Sequence, residues 1–264
     1  MPKIVECVPN VSEGRNFQVI EKLANVIRAN KEVQLLDVHR DVDHNRSVYT
    51  FIGSPKGVKQ TAYDLAERAV ELIDINKHEG VHPKLGVIDV IPFIPVKNVT
   101  MAECKQLSRK LGAELEKHLH LPVYFYEEAT DDPKTKNLAD LRAQGYNLKK
   151  HYTAGAVAIS ARDYLIAYNV NLSSKNVDIA RKIAAELREK NGGLAGVKAL
   201  GLKLASKQQV QVSMNLIKPK QTPPGKVLNT IKRLAGKIKV KVAATEIVGL
   251  MPKEVQEAAE KFKI

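Results

Sequence analysis

Gln209-Val210-Gln211-Val212-Ser213-Met214-Asn215-Leu216 puts Val210, Val212, Met214 and Leu216 on one side of an extended chain and Gln211, Ser213 and Asn215 on the other. Alternation with a period of two marks a strand with one apolar and one polar face. Just before it, Val197 to Leu204 reads as a strand, and Tyr164 to Leu172 as an earlier one. Between those two, Val177, Ala180, Ile183, Ala184 and Leu187 recur at helical spacing, and Gly192-Gly193 stops the helix. After Pro223-Pro224, Val227, Ile231, Leu234 and Ala235 mark a second helix, and Val240 to Val248 returns as a strand. The order is βαββαβ, the split unit of ferredoxin-like folds.

The first half repeats this order. Lys3 to Val8 is a short apolar strand, and Phe17, Val19, Ile20, Leu23, Val26 and Ile27 follow at helical spacing. Val33 to Val38 and Arg46 to Gly53 read as strands. Val58, Ala62, Leu65, Ala69, Leu72 and Ile73 form a helical stripe, and Gly86 to Ile91 is the closing strand. Between the copies, Met101 to Leu119 is helical and Pro122 to Tyr126 extended. Thr130 to Lys150 is charged and irregular, apart from a short helix near Leu138 to Ala143. The expected class is α+β, with two tandem ferredoxin-like βαββαβ subdomains whose helices pack on mostly antiparallel sheets. The expected subdomains are residues 1–173 and 174–264, divided near Ser173-Ser174.

Composition fits a soluble globular chain: 264 residues, 44% hydrophobic and 27% charged. The most apolar window, Val87 to Val96, is too short to span a bilayer and contains Asp89 and two prolines. No membrane association is expected; no signal peptide is recognised, and the expected location is cytoplasmic. Cys7 and Cys104 are the two cysteines, with no C-x-x-C, so neither a disulfide framework nor a cysteine metal site is encoded. The net charge of +13 has two competing readings. One is electrostatic steering of polycarboxylate substrates; the other is a lysine-rich solvated surface of the kind favoured at high growth temperature. Nucleic acid is the least favoured partner, since aromatics are 5%, tryptophan is absent and no binding-module signature occurs.

The chemistry is concentrated in His78-Glu79-Gly80-Val81-His82-Pro83-Lys84-Leu85-Gly86, which runs directly into the apolar strand. An imidazole delivered at the mouth of a rigid strand is a proton-transfer group poised near neutral pH. His78 to His82 also satisfies the H-E-x-x-H pattern, but that zinc geometry requires a helix through both histidines. Gly80 and Pro83 break any such helix, so no metal is expected. His82 is the expected catalytic residue, and His78 reads better as structural.

This segment resembles the active-site segment of the formiminotransferase family, G-x-H-P-[RK]-[ML]-G. Further matches run the length of the chain: Glu6-Cys7-Val8-Pro9-Asn10-Val11-Ser12-Glu13-Gly14, Leu35-Leu36-Asp37-Val38, Asp43-His44-Asn45-Arg46-Ser47-Val48, Thr153-Ala154-Gly155-Ala156, Ala167-Tyr168-Asn169-Val170-Asn171-Leu172, Gln211 to Leu216 and Thr245-Glu246-Ile247-Val248-Gly249-Leu250. The resemblance implies a glutamate formimidoyltransferase that moves the formimino group of N-formimino-L-glutamate to tetrahydrofolate, in histidine degradation and one-carbon metabolism. His82 falls on the family's catalytic base and would act as general acid and base in turn.

Candidate substrate-binding residues are Asn10, Asp37, Arg46 and Asp89, with Arg15 second to Arg46 as a guanidinium partner for glutamate carboxylates. The two aspartates are also read as stabilisers of charge on the reacting carbon. Tyr152, Thr153, Ala154 and Gly155 are the candidate folate-binding residues. Tetrahydrofolate enters as a co-substrate, a homodimer is implied, and no fused cyclodeaminase is expected. The chain departs from the family in a shorter linker before His151. Two alternatives stay open: a related folate activity (formyl transfer or 5-formyltetrahydrofolate cyclisation), and a non-catalytic folate- or anion-binding protein.

Overall fold

The computed structural model describes residues 2–144 and 148–262. It divides into two compact units, one comprising residues up to Asp163 plus the C-terminal helix, the other Tyr164–Pro252.

The first unit begins with β1 (Ile4–Cys7) and β2 (Asn10–Val11), which continue one line across a kink at Val8-Pro9. There follow α1 (Phe17–Ala29), β3 (Val33–Asp41), β4 (Arg46–Gly53), α2 (Pro55–Leu72), β5 (Ile88–Lys97), α3 (Met101–Leu119), β6 (Val123–Glu127), α4 (Leu138–Ala143) and β7 (Val157–Ala161). Among β1 and β3 to β5 the pairing order is β3-β4-β1-β5, all antiparallel, which is the ferredoxin-like arrangement. β7 then adds to β5, and β6 to β7, both in parallel. The helices start on side-chain caps: Asn16 accepts from Val19, Ser54 from Gly57, and Thr100 and Glu103 form a capping box.

Alternation along the strands separates the two faces of this sheet. Tyr49, Phe51, Ile91, Phe93, Val157 and Ile159 pack with α1, α2 and α3 in the main core. Val90, Tyr126 and Ala158 face the other way and form a smaller cluster with Leu85 and with Leu141 of α4. That second face carries the site. Two expectations are corrected in this unit. β5 runs through Pro92 and Pro95 to Lys97 rather than ending at Ile91. Pro95 lies past the last β5–β7 pair, Phe93 with Ala161, where the strand has become an edge that tolerates proline. β7, which has no counterpart among the elements expected from sequence, is buried at every position.

The second unit holds β8 (Ile166–Leu172), α5 (Val177–Leu187), β9 (Val197–Leu204), β10 (Gln209–Leu216), α6 (Pro224–Lys237) and β11 (Val242–Val248). Its sheet is antiparallel throughout, in the order β11-β8-β10-β9, again ferredoxin-like. Val210, Val212, Met214 and Leu216 form the core face of β10 with α5 and α6, as their spacing predicts. The division falls between Asp163 and Tyr164, ahead of Ser173-Ser174, because β8 pairs with β10 and β11. The last helix, α7 (Pro252–Lys261), joins the first unit, where Lys97 reaches Glu260 at 3.0 Å. Among the described residues no helix is long and apolar enough to cross a membrane.

Candidate active site

The site grows from a bulge at the start of β5. Asn10 pairs with Val90 and Val11 with Ile88, so Asp89 is the extra residue between them. A bulge re-aims a side chain, and here it turns Asp89 toward the α4 side of the sheet. Asp89 is fully buried, and protein groups occupy both its oxygens. Oδ1 accepts the Leu85 N–H at 2.7 Å. Oδ2 takes Arg46 Nη1 at 2.7 Å and also Arg142 Nη2 from α4. Burial works to raise the Asp89 pKa, but the Arg142 and Arg46 guanidiniums outweigh it and hold the carboxyl well below the usual range. Arg46 Nε donates to Asn10 Oδ1 at 3.0 Å, and Asn10 Nδ2 donates to the Val8 carbonyl at 2.9 Å. Asn10, Arg46, Asp89 and Arg142 are thus one connected network.

The segment carrying His82 is not helical, which removes the metal-peptidase geometry. It is tied instead to the β3–β4 turn. His78 Nε2 lies 2.7 Å from the Asn45 carbonyl, Asn45 Nδ2 donates to the Glu79 carbonyl at 3.0 Å, and the Val81 N–H donates to the Asp43 carbonyl at 3.1 Å. Asn45 takes the left-handed conformation that this tight turn requires (φ 47°). Gly80 is obligatory for the approach, since a Cβ there would stand 2.3 Å from the His44 carbonyl oxygen. His44 in turn places its ring 5.5 Å from that of His82.

His82 Nδ1 lies 2.8 Å from the Pro83 carbonyl. A carbonyl only accepts, so Nδ1 carries the proton and Nε2 presents its lone pair. Burial pushes the imidazole pKa well below its usual value. The Arg46 and Arg142 cations push in the same direction, and Asp89 pulls back. Burial and the two guanidiniums thus favour the neutral ring, whose Nε2 is the nitrogen able to accept a proton.

A second loop closes the frame. Gly155 bridges to Gly86, the Ala156 N–H donates to the Leu85 carbonyl at 3.1 Å, and the Val87 N–H donates to the Ala154 carbonyl at 2.8 Å. Gly155 has φ +74°, and a Cβ on it would lie 2.4 Å from the Leu85 oxygen. His151 Nδ1 accepts the Thr153 and Ala154 N–H groups at 3.3 and 3.1 Å, which fixes the turn. Between the two loops lies an open cleft of about 700 Å³, lined among others by His82, Lys84, Arg142, His151, Tyr152 and Gly155.

Of the residues singled out in the sequence, His82, Tyr152 and Gly155 line this cleft, and Asn10, Arg46 and Asp89 form the buried network behind it. Tyr152 is 90% exposed, whereas Ala154 is fully buried and Thr153 serves the turn through its backbone. Asp37 lies on β3 opposite Thr50, with β4 and β2 between it and β5, and it is not among the cleft-lining residues. Arg15 is exposed and donates through Nε to the Val42 carbonyl at 2.9 Å. Arg142 and Lys84 were given no role from sequence. Lys84 sits inside the motif itself, while nothing in the irregular segment around Arg142 announces a partner on β5. No group of three or more His, Cys, Asp or Glu among the described residues is arranged to hold a metal ion.

Two family models cover this chain almost end to end: the formiminotransferase domain, N-terminal subdomain, over residues 4–162, and the formiminotransferase domain over residues 167–264. The chain belongs to the formiminotransferase family. The glutamate formimidoyltransferase of Streptococcus pyogenes serotype M1 is 38% identical over 280 aligned residues, covering 99% of this chain and 94% of that protein. The glutamate formimidoyltransferase of Thermoplasma acidophilum is 38% identical, covering 95% and 89%. The formimidoyltransferase-cyclodeaminase of Gallus gallus is 37% identical over all of this chain, which spans 53% of that longer protein. The family boundary between residues 162 and 167 falls where the two structural units divide.

Proposed function

We propose that this chain is a glutamate formimidoyltransferase that moves the formimino group of N-formimino-L-glutamate to tetrahydrofolate, with His82 as the general acid and base. Full-length similarity to two proteins of that name supports the reaction. The observation that carries the residue assignment is the place of His82 in the cleft wall with its Nδ1 committed to the Pro83 carbonyl, which makes Nε2 the nitrogen able to take a proton. Transfer between two amines requires one proton to leave the attacking nitrogen and one to reach the departing nitrogen. His82 Nε2 takes the first and returns it to the glutamate nitrogen, a service worth roughly 10²–10⁴ in rate.

The network behind the cleft orients rather than reacts. Asp89 holds Arg46 and Arg142, Asn10 accepts from Arg46 Nε, and the Arg46 guanidinium fixed in this way is the expected partner of a substrate carboxylate. Tetrahydrofolate fits as co-substrate on the Tyr152 side, where an exposed aromatic ring and the close-packed Gly155 backbone flank the cleft. A cytoplasmic homodimer is the expected form. The test is an assay with both substrates, in which L-glutamate must appear as N-formimino-L-glutamate disappears, only when tetrahydrofolate is present. Absence of transfer at any substrate concentration would refute the reading.

A further inference from the structure

The buried charges behind His82 do not balance. Arg46 and Arg142, with side chains 10% and 14% exposed, share the single carboxylate of Asp89. Neither has another ion pair among the described residues. One positive charge is left over in a poorly solvated place, where an unpaired charge is costly. Arg142 Nε is buried and has no hydrogen-bond acceptor among the described residues, a condition rare in native interiors. Lys84 lines the same cleft, half-buried, without an ion-pair or hydrogen-bond partner among the described residues. Burial and the nearby Asp89 both act on its ammonium, which places it in the same electrostatic neighbourhood.

We infer that Arg142 and Lys84 form the subsite for a carboxylate of the donor substrate, beside His82; the assignment rests on the transferase reading above. A guanidinium already steered by Asp89 is pre-organised to bind a carboxylate, and an ammonium on a flexible stem closes over it. The donor carries two carboxylates, and the incoming anion neutralises the surplus cation. The acceptor's carboxylates lie on its glutamyl tail, at the far end of the molecule from the reacting pterin nitrogen, whereas the donor's carboxylates lie within a few bonds of the formimino carbon and so within reach of cations beside His82. Arg142 and Lys84 therefore set donor affinity.

The test measures binding of L-glutamate by calorimetry, with the Michaelis constants of both substrates, in wild type, Arg142→Gln and Lys84→Gln. Each substitution is expected to weaken L-glutamate and raise the donor KM by roughly tenfold to a hundredfold, the worth of one charge-assisted bond. The tetrahydrofolate KM should move less than threefold, a split that a merely structural role would not give. If Arg142→Gln fails to fold, Lys84→Gln reads the same subsite, because Lys84 holds nothing else in place. Folded variants that bind L-glutamate like wild type, or that lose both substrates equally, overturn the inference. A wild type that binds L-glutamate through Lys84 yet transfers nothing leaves the subsite standing and removes the transferase reading instead.

Discussion

Asp89 Oδ2 lies 2.7 Å from Arg46 Nη1, joining two strands of the first sheet across a bulge that exists to aim that carboxylate. The carboxylate is fully buried and Arg46 nearly so, and Arg142 makes the pair a triad. Replacing Asp89 by Asn removes the anion and leaves two guanidiniums facing each other. Breaking one partner of a buried ion pair typically costs about 3–5 kcal/mol. Urea unfolding of Asp89→Asn should show a loss of that size; a loss below about 1 kcal/mol would mean that the triad is not the support described.

The same cations govern pH dependence. In the folded protein His82 is held below the ordinary imidazole value of about 6.5, by burial first and then by Arg46 and Arg142. The fold favours the neutral ring. The stability gained from keeping it neutral is therefore complete above pH 6.5 and declines as the pH falls below that, where the unfolded chain takes up a proton first. The acid limb of kcat/KM should lie below pH 6.5, and Arg142→Gln should move it upward. A limb at or above pH 6.5 in wild type contradicts this electrostatic account.

Glu6 makes a separate, opposite prediction. It is buried on β1, where burial pushes its carboxyl up to about 7 despite the Arg162 cation. The folded state thus prefers the protonated acid, and stability falls as the pH rises from the unfolded value of 4.5 through 7. Glu6→Gln, which cannot ionise, should stabilise the protein by about 3 kcal/mol at pH 8 and by almost nothing at pH 4. Equal effects at the two pH values would show that Glu6 does not titrate in this way.

Gly155→Ala tests the loop frame. The residue sits at φ +74°, and its Cβ would press on the Leu85 oxygen. Strain of this kind costs of order 1–3 kcal/mol. Because Gly155 bridges to Gly86, the displaced segment is the one that carries His82, so kcat should fall together with the melting temperature. A variant with normal melting and normal turnover would mean that the frame is looser than described.

The second unit was legible because its strands alternate, so that Val210 to Leu216 and its neighbours announce both strand and buried face. β7 was not, because Val157–Ala161 is buried on both faces and a short run without alternation carries no period. Pro92 and Pro95 hid the second half of β5 in the same way. In the site, His82 was readable from its glycine and proline setting. Arg142 was not, because its meaning lies in an ion pair with Asp89 across 53 residues of chain, and no local pattern encodes such a pairing. Asp37 and Asp89 look alike in sequence, both as acids at strand positions near the expected mouth of the site. Register separates them: Asp37 pairs opposite Thr50, whereas the bulge at Asp89 points it at two arginines.

The most direct measurement is single-turnover transfer from N-formimino-L-glutamate to tetrahydrofolate by wild type and His82→Ala, each verified as folded. The account predicts transfer by wild type and a rate lower by roughly 10²-fold or more in the variant, with donor binding retained. Equal rates in the two proteins would contradict the central claim that the His82 imidazole moves the proton.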